Sequence, residues 1–196
     1  MNTQNEKKVV SNVLYFGLIF IIPIIIILHA YKLLEVYPFG DKSLLSMDLW
    51  GQYFPMLVEQ SNSTIHEKMF SWNGGLGFNS FAQSGYYCNS IFNIFLKFGK
   101  SNEQKIMILT WLMLFKFGIS SLSCSAYLDY KFRKKSFGII VASTAYSVCS
   151  YCLAYISQVM WFDSVIYLPL IILGLERLIK SNKPIFYCLI LALAIY

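Results

Sequence analysis

Side chains that carry charge into or beside apolar runs are the first candidates for chemistry in this sequence. Lys116 lies near the middle of the otherwise uncharged run Ile106–Leu128, where a charge is costly and usually faces a protein interior or a water-filled cavity. Its expected partner is an acid on a neighbouring helix or a part of the protein outside this chain. Asp48, Gln52 and Glu59 are spaced so that, on a helix, they share one face.

Cysteines, histidines and glycines offer weaker signals. Cys149 and Cys152 form a CxxC motif inside an apolar run without a second cysteine or histidine pair, which favours helix packing over zinc or redox chemistry. His29 and His66 are too far apart to indicate a metal site. The glycines of Ser71–Asn79 indicate a tight turn with an aromatic anchor, because no Gly-Lys-Ser/Thr follows them. No cofactor is indicated, and a divalent metal stays open.

Composition determines the environment of these residues. Of the 196 residues, 57% are hydrophobic and only 13% are charged, whereas soluble domains carry about 25% charged residues. The net charge of +6 does not indicate nucleic acid, because the basic residues form short clusters between apolar runs rather than a stripe interleaved with aromatics. We therefore predict an all-α integral membrane protein, a polytopic helical bundle.

The apolar runs predict the membrane spans, each of which needs about 20 residues. Spans are expected at residues 9–31, 106–128, 136–160 and 164–179, with an incomplete fifth at 184–196. Basic clusters precede the first span and follow the second and fourth, which puts the N-terminus in the cytoplasm and residues 32–105 in a long outer loop. The incomplete fifth run leads us to expect the N-terminal part of a longer polytopic protein.

The outer loop is itself partly apolar and is expected to hold interfacial or re-entrant helices. Leu49, Tyr53 and their neighbours supply an apolar face beside Asp48, which predicts an amphipathic helix at the membrane surface. Pro55 is expected to kink this helix or end it early. The uncharged run Tyr86–Leu96 is too short to span and predicts one re-entrant or interfacial helix.

Several blocks of the sequence, in this order, resemble the N-terminal region of the bacterial YfhO family. They are Met47–Pro55, Ser71–Gly77, Tyr86–Tyr87, Ala145–Tyr151, Gln158–Val165 and Leu168–Ile179. One departure is Gln158-Val, where the family pattern leads us to expect an Asn close before the Met-Trp pair. The resemblance covers nearly the whole chain and depends on the ordered succession of the blocks.

The resemblance implies a glycosyltransferase of the GT-C type in a bacterial cell membrane. Such an enzyme takes a sugar from a polyprenyl-phosphate donor and transfers it, on the outer face, to a cell-envelope polymer such as lipoteichoic acid. The chemistry needs a carboxylate to accept the proton of the attacking hydroxyl and cationic groups or a metal to hold the departing phosphate. Lipid bilayer, donor lipid and polymer acceptor are the implied partners, and nucleic acid is not.

The resemblance also implies roles for individual residues. Asp48 is the candidate base, because GT-C enzymes typically carry an acid just after the first span; capping of the surface helix is its alternative role. Asp163 is the second candidate, or caps the fourth span. Lys116 approaches the lipid phosphate, or serves in an ion pair. The predicted substrate-binding residues are Gln52, Tyr53, Trp72, Asn73, Tyr86, Tyr87, Lys116 and Trp161.

Arginine is missing from the predicted outer face. Arg133 and Arg177 are both cytoplasmic in this topology, so phosphate binding would fall to lysines, a metal or a further part of the protein. On this interpretation the chain alone is not expected to be active. The alternative function is non-catalytic: a transporter of lipid-linked sugars or an assembly partner for one.

Overall fold

A computed structural model describes residues 3–64, 69–72 and 76–195 of the chain. The described residues are mostly helical and form no strands, only two isolated β-bridges, which confirms the predicted all-α class. A π-helical turn at Leu49–Tyr53 and a 3-10 helix at Ile91–Phe98 lie between the α-helices. These are α1 (Thr3–Leu34), α2 (Phe54–Asn62), α3 (Ser80–Tyr87), α4 (Asn102–Phe132), α5 (Phe137–Ser147), α6 (Ser150–Ala154), α7 (Trp161–Ser181) and α8 (Pro184–Ile195).

Two ion pairs show that α4 and α7 run parallel. Lys116 of α4 pairs with Asp163 in the first turn of α7, with 2.5 Å between Nζ and Oδ1. Lys131, further along α4, pairs with Glu176, further along α7, with 2.5 Å between Nζ and Oε1. The two helices therefore advance in the same direction, and the α5–α6 segment returns the chain from the end of α4 to the start of α7.

Contacts between α1 and α4 show the opposite relation. The Tyr15 hydroxyl donates to Asp129 at 2.8 Å, and Phe20 lies against Gly118. A Cβ atom at Gly118 would come within 2.5 Å of the Phe20 ring, so the absence of a side chain permits the close approach of the two helices. Because residue 15 meets 129 and residue 20 meets 118, α1 and α4 are antiparallel.

The basic clusters gather at one end of the bundle, which we call the basic end. Lys135, after α4, donates to Asn12 at 2.8 Å and lies over the ring of Phe16. Glu176 accepts from both Lys131 and Lys180, which joins the ends of α4 and α7. The start of α1, the loop after α4 and the end of α7 therefore lie together, as the sequence predicts.

Three helices of the described chain are long and apolar enough to cross a membrane. They are Ser11–Leu34 within α1, Asn102–Phe132, and Phe137–Ala154 across α5 and α6. The fourth predicted span corresponds to α7, whose 21 residues extend about 31 Å at 1.5 Å per residue. Asp163 lies near its start and three further charged residues lie near its end, so every stretch of 18 residues within it carries at least three charges. The number of complete spans stays a prediction.

The third apolar run is interrupted rather than continuous. α5 ends at Ser147, Val148 and Cys149 leave the helical conformation, and α6 ends at Ala154. A chain of uncharged residues is compatible with one long helix or with a broken one, so the sequence did not indicate this interruption. The break places residues 155–160 in a turn that packs against the bundle.

Residues 35–101 form the long connection between α1 and α4. Within it, two short helices replace the one helix that was predicted at Tyr86–Leu96. α3 ends at Tyr87, and the 3-10 helix begins only at Ile91. The Ser90 hydroxyl accepts from the Phe92 amide and caps that second helix. Because capping side chains satisfy orphan amides at a helix start, the capping serine accounts for the new helix beginning here.

The surface helix also differs in detail from the prediction. A π-helical turn at Leu49–Tyr53 runs directly into α2, since the Phe54 amide donates to the Leu49 carbonyl, and Pro55 lies in the first turn of α2. The helix continues to Asn62, so the expectation that Pro55 would end it early is wrong. The π turn also rotates the residues before it relative to those after it.

The predicted turn at Ser71–Asn79 is present at its two ends. Ser71 and Phe78 exchange two backbone hydrogen bonds, of 3.1 and 2.9 Å, and Gly77 has φ of +100°, a conformation that glycine adopts without strain. Trp72, the expected aromatic anchor, is 77% exposed. It lies edge-on against Phe70 with 5.0 Å between ring centres.

Candidate active site

Asp48 lies immediately before the π-helical turn, with an exposed side chain. Its carboxylate makes no capping hydrogen bond to that turn. Oδ2 instead accepts from the Gln158 side-chain amide at 3.2 Å and from the Tyr53 hydroxyl at 3.4 Å. Among the described residues no cation pairs with it. Asp48 is therefore an accessible, oriented carboxylate, and the geometry does not support the capping role.

A cluster of tyrosines begins at this carboxylate, with Tyr53 in contact with it. The buried Tyr53 ring lies 5.5 Å from the Tyr87 ring, which Tyr86 meets edge-on at 4.6 Å. Gln52 donates to the Tyr87 hydroxyl at 3.0 Å. Burial, with a smaller contribution from the Asp48 charge, raises the pKa of Tyr53 above its ordinary value, so its hydroxyl remains a hydrogen-bond donor to Asp48. The structure thus brings together four of the predicted substrate-binding residues.

A cavity of about 170 Å³ lies next to this cluster, between α3 and the start of α7. Tyr86, Trp161 and Asp163, three predicted site residues, line it together with Asn89, Ser164 and Tyr167. Aromatic rings beside hydroxyl and amide groups are a surface on which a sugar-like ligand stacks and forms hydrogen bonds. Residues from the end of α8 close another side.

Asp163 and Lys116 form a buried ion pair, with their side chains 9% and 4% exposed. The Lys116 ammonium also donates to the Val159 carbonyl at 3.2 Å and lies over the Phe92 ring at 5.3 Å. Of the roles open for Lys116, the structure shows the pair with an acid on a neighbouring helix. Asp163 is the third residue of α7 rather than its cap, and its charge is committed to Lys116.

Two predicted residues are not brought into this arrangement. Trp72 is directed to the surface, and within the described residues its ring contact is with Phe70. Asn73 lies outside the described residues. The structure adds Gln158, which the sequence showed only as a departure from the family pattern. The signal that could have identified Gln158 as a site residue was its position in the turn that leads to Asp163.

A wider groove of about 750 Å³ lies between α2 and the start of α4. Trp50, two-thirds exposed, lines it with apolar neighbours and with a polar set made of Glu59, Asn62, Ser63, Asn102 and Glu103. The buried Lys105 donates to Ser61 and Asn62 and so fixes one wall. Trp50 lies two residues after Asp48, a spacing at which side chains on a helix do not face each other, so the groove and the Asp48 carboxylate lie on different sides of the π turn.

Metal binding finds no support in the residues that the structure describes, since none of their histidines, cysteines and acids form a group of three or more able to hold an ion. Glu59, for example, accepts from the Ser71 hydroxyl rather than joining another acid.

The bundle and its cluster define a helical, polytopic membrane protein with a carboxylate-centred site away from its basic end. The family described as "Bacterial membrane protein YfhO" matches residues 19–196. The chain belongs to this family, which confirms the resemblance drawn from the sequence. Comparison with curated proteins gave no match, and neither did comparison with solved structures.

Proposed function

We propose that the protein acts as a GT-C-type glycosyltransferase at the outer face of the bacterial membrane. It transfers a sugar from a polyprenyl-phosphate donor to a cell-envelope polymer such as lipoteichoic acid. The observation that carries the proposal is the accessible Asp48 carboxylate, held by Gln158 and Tyr53. Ring contacts from Tyr53 through Tyr87 lead from it to Tyr86, which lines the cavity of about 170 Å³. A carboxylate held by hydrogen bonds and free of any cation is suited to accept a proton from a hydroxyl nucleophile.

Each residue of the site then has a separate task. Asp48 accepts the proton of the acceptor hydroxyl as that hydroxyl attacks the sugar. The cavity bounded by Tyr86 and Trp161 holds the sugar by stacking and hydrogen bonding. Lys116, neutralised by Asp163, orders the cavity wall rather than binding the departing phosphate. That phosphate is held by other cationic groups or by a divalent metal.

The acceptor lies in the groove beside Trp50 in this proposal. A sugar ring can stack on an exposed indole ring, and carboxylate and amide oxygens beside it can accept hydrogen bonds from the sugar hydroxyls. In this proposal the polymer extends from the groove around the π turn at Leu49–Tyr53, so that one of its hydroxyls reaches Asp48, the residue just before that turn.

Replacement of Trp50 by Ala tests the groove. We expect the KM for the acceptor to rise about 2- to 10-fold, since aromatic stacking contributes roughly 0.5–1.5 kcal/mol, while kcat changes little. Steady-state kinetics with varied acceptor measure this. Phe39→Ala, another exposed aromatic residue of the long connection, is the control. An unchanged KM in Trp50→Ala would place the acceptor elsewhere.

The proposed orientation has the basic end in the cytoplasm. In a Cys188→Ser background, which removes the exposed native cysteine, we introduce single cysteines at Leu76 and Lys134, both exposed. A membrane-impermeant maleimide added to intact cells should label position 76 and not position 134. Both positions should react after the membrane is permeabilised. Labelling of position 134 alone in intact cells would reverse the orientation.

The second candidate function is transport of a lipid-linked sugar, or assembly with such a transporter. The cavity of about 170 Å³ would serve either function. Transport depends on the shape of the cavity rather than on a proton-accepting carboxylate, so a neutral residue at Asp48 separates the two functions.

A further inference from the structure

Gln158 lies in a turn whose backbone is closed on both sides. Its amide donates to the Tyr155 carbonyl at 2.9 Å, and its own carbonyl accepts from the Trp161 amide at 2.9 Å. Its side-chain amide spans the distance to Asp48, 110 positions away in the chain. Whether the Gln158 side chain reaches the Asp48 carboxylate therefore depends on where this turn lies relative to the π-helical turn.

The next residue connects that turn to the core of the bundle. The carbonyl of Val159, a residue only 3% exposed, accepts from the Lys116 ammonium at 3.2 Å. The same ammonium pairs with Asp163 in the first turn of α7 and makes a longer contact, 3.5 Å, with the Ser90 hydroxyl. A single buried ammonium thus joins α4, the 158–159 turn, α7 and the start of the 3-10 helix.

We propose that the Lys116–Asp163 pair positions the Asp48 carboxylate, acting through the Val159 carbonyl and the Gln158 side chain. Lys116, Asp163 and Gln158 are positioning residues in this scheme, and none of them reacts. The catalytic consequence rests on the proposed function, whereas the positional claim does not depend on it.

The chemistry of the pair supports this role. Well-packed apolar residues in place of a buried ion pair often leave stability unchanged or improved, so the pair is not needed merely to join two helices. A hydrocarbon side chain at position 116 could not donate to the Val159 carbonyl. The ammonium provides a directional bond there, and Asp163 makes the buried charge tolerable. What the pair adds over apolar packing is therefore a fixed position for the turn.

The experiment measures the separation of the two segments directly, in the full chain in membranes. Cysteines replace Asp48 and Gln158, and a short bifunctional thiosulfonate links them. Mass spectrometry identifies the 48–158 peptide pair, so the native cysteines are retained. The yield is compared with and without the Lys116→Met, Asp163→Leu double change. The control is Lys131→Met with Glu176→Leu, which removes an ion pair between the same two helices at the basic end.

We expect the 48–158 yield to fall about tenfold in the Lys116→Met, Asp163→Leu background, because a hydrogen bond to a charged group shifts a local equilibrium by about that factor or more. The control should stay within about twofold of the unmodified background, since partly exposed pairs contribute little. Should the apolar double change fail to accumulate, Lys116→Leu with Asp163→Val, which likewise leaves no donor at position 116, replaces it, with the same expected fall. An unchanged yield in a folded variant overturns the proposal.

A transfer assay separates this inference from the proposed function. Gln158→Leu should lower kcat about tenfold through loss of one hydrogen bond to a charged group, with the KM for the donor unchanged. Altered packing of the cavity would instead raise KM. If the full-length reading frame that carries this chain transfers no sugar at all, the proposed function fails, while the cross-linking yield still decides whether the pair positions residue 48. A fall in cross-linking with unchanged kcat in Gln158→Leu would refute the catalytic consequence alone.

Discussion

In the full-length reading frame that carries this chain, Asp48→Asn should abolish most sugar transfer while the protein accumulates normally. Asn retains an oxygen that accepts from Gln158 and Tyr53, the two contacts of Asp48 in the structure. It removes the negative charge and the proton-accepting oxygen. Loss of a general base lowers the rate by about 10²–10⁴-fold. Single-turnover transfer from a polyprenyl-phosphate sugar, with the protein level measured by immunoblot, tests the prediction.

Asp41→Asn is the matched control, because Asp41 is an exposed aspartate of the same long connection. It should transfer sugar at the unmodified rate. Near-normal transfer in Asp48→Asn would show that Asp48 is not the base. Two results together would favour the transport function. The unmodified protein would transfer no sugar to an acceptor, and the Asp48→Asn protein would still move a lipid-linked sugar across the membrane.

Lys116→Met should destabilise the protein by about 3–5 kcal/mol, because removing one partner of a buried ion pair leaves the other charge uncompensated. The carboxylate left behind is that of Asp163, 9% exposed. Unfolding of the purified protein in mixed detergent micelles, followed by circular dichroism, measures the free energy. The double change Lys116→Met with Asp163→Leu should recover most of the loss, since no buried charge remains.

The exposed pair between Lys42 and Glu35 provides the control. Their side chains are 65% and 71% exposed, with 3.0 Å between Nζ and Oε2, so Lys42→Met should cost no more than about 1 kcal/mol. A Lys116→Met protein as stable as the unmodified one would show that the buried pair contributes nothing. If the pair positions the turn, the Lys116→Met, Asp163→Leu variant should regain its free energy of unfolding but not its 48–158 cross-linking yield.

The membrane character and the main helices could be predicted from the sequence. The predicted span at 106–128 lies within α4, and that at 164–179 lies within α7. Apolar length can be counted along the chain, because a helix in hydrocarbon must satisfy its own backbone and bury about 20 apolar residues. The grouping of the basic clusters at one end follows from the same alternation of spans.

Local interruptions could not be predicted in the same way. The break after Ser147 and the separate 3-10 helix at Ile91 fall in uncharged sequence. Hydropathy is the same for a continuous helix and a broken one, so it marks neither position, and the capping residue Ser90 was the local signal for the second. The π turn at Leu49–Tyr53 was missed for a related reason: it changes the rotation of the helix without changing its composition.

The sequence by itself determined the class, the family resemblance and the residue types able to act, Asp48 and Lys116 among them. Tertiary structure alone decided that Asp48 contacts Gln158 and that Lys116 pairs with Asp163. Such contacts depend on how each helix is rotated and how far it is shifted along its neighbour. Those quantities are determined by side-chain packing between helices, which acts between residues far apart in the chain and leaves no periodic pattern along it.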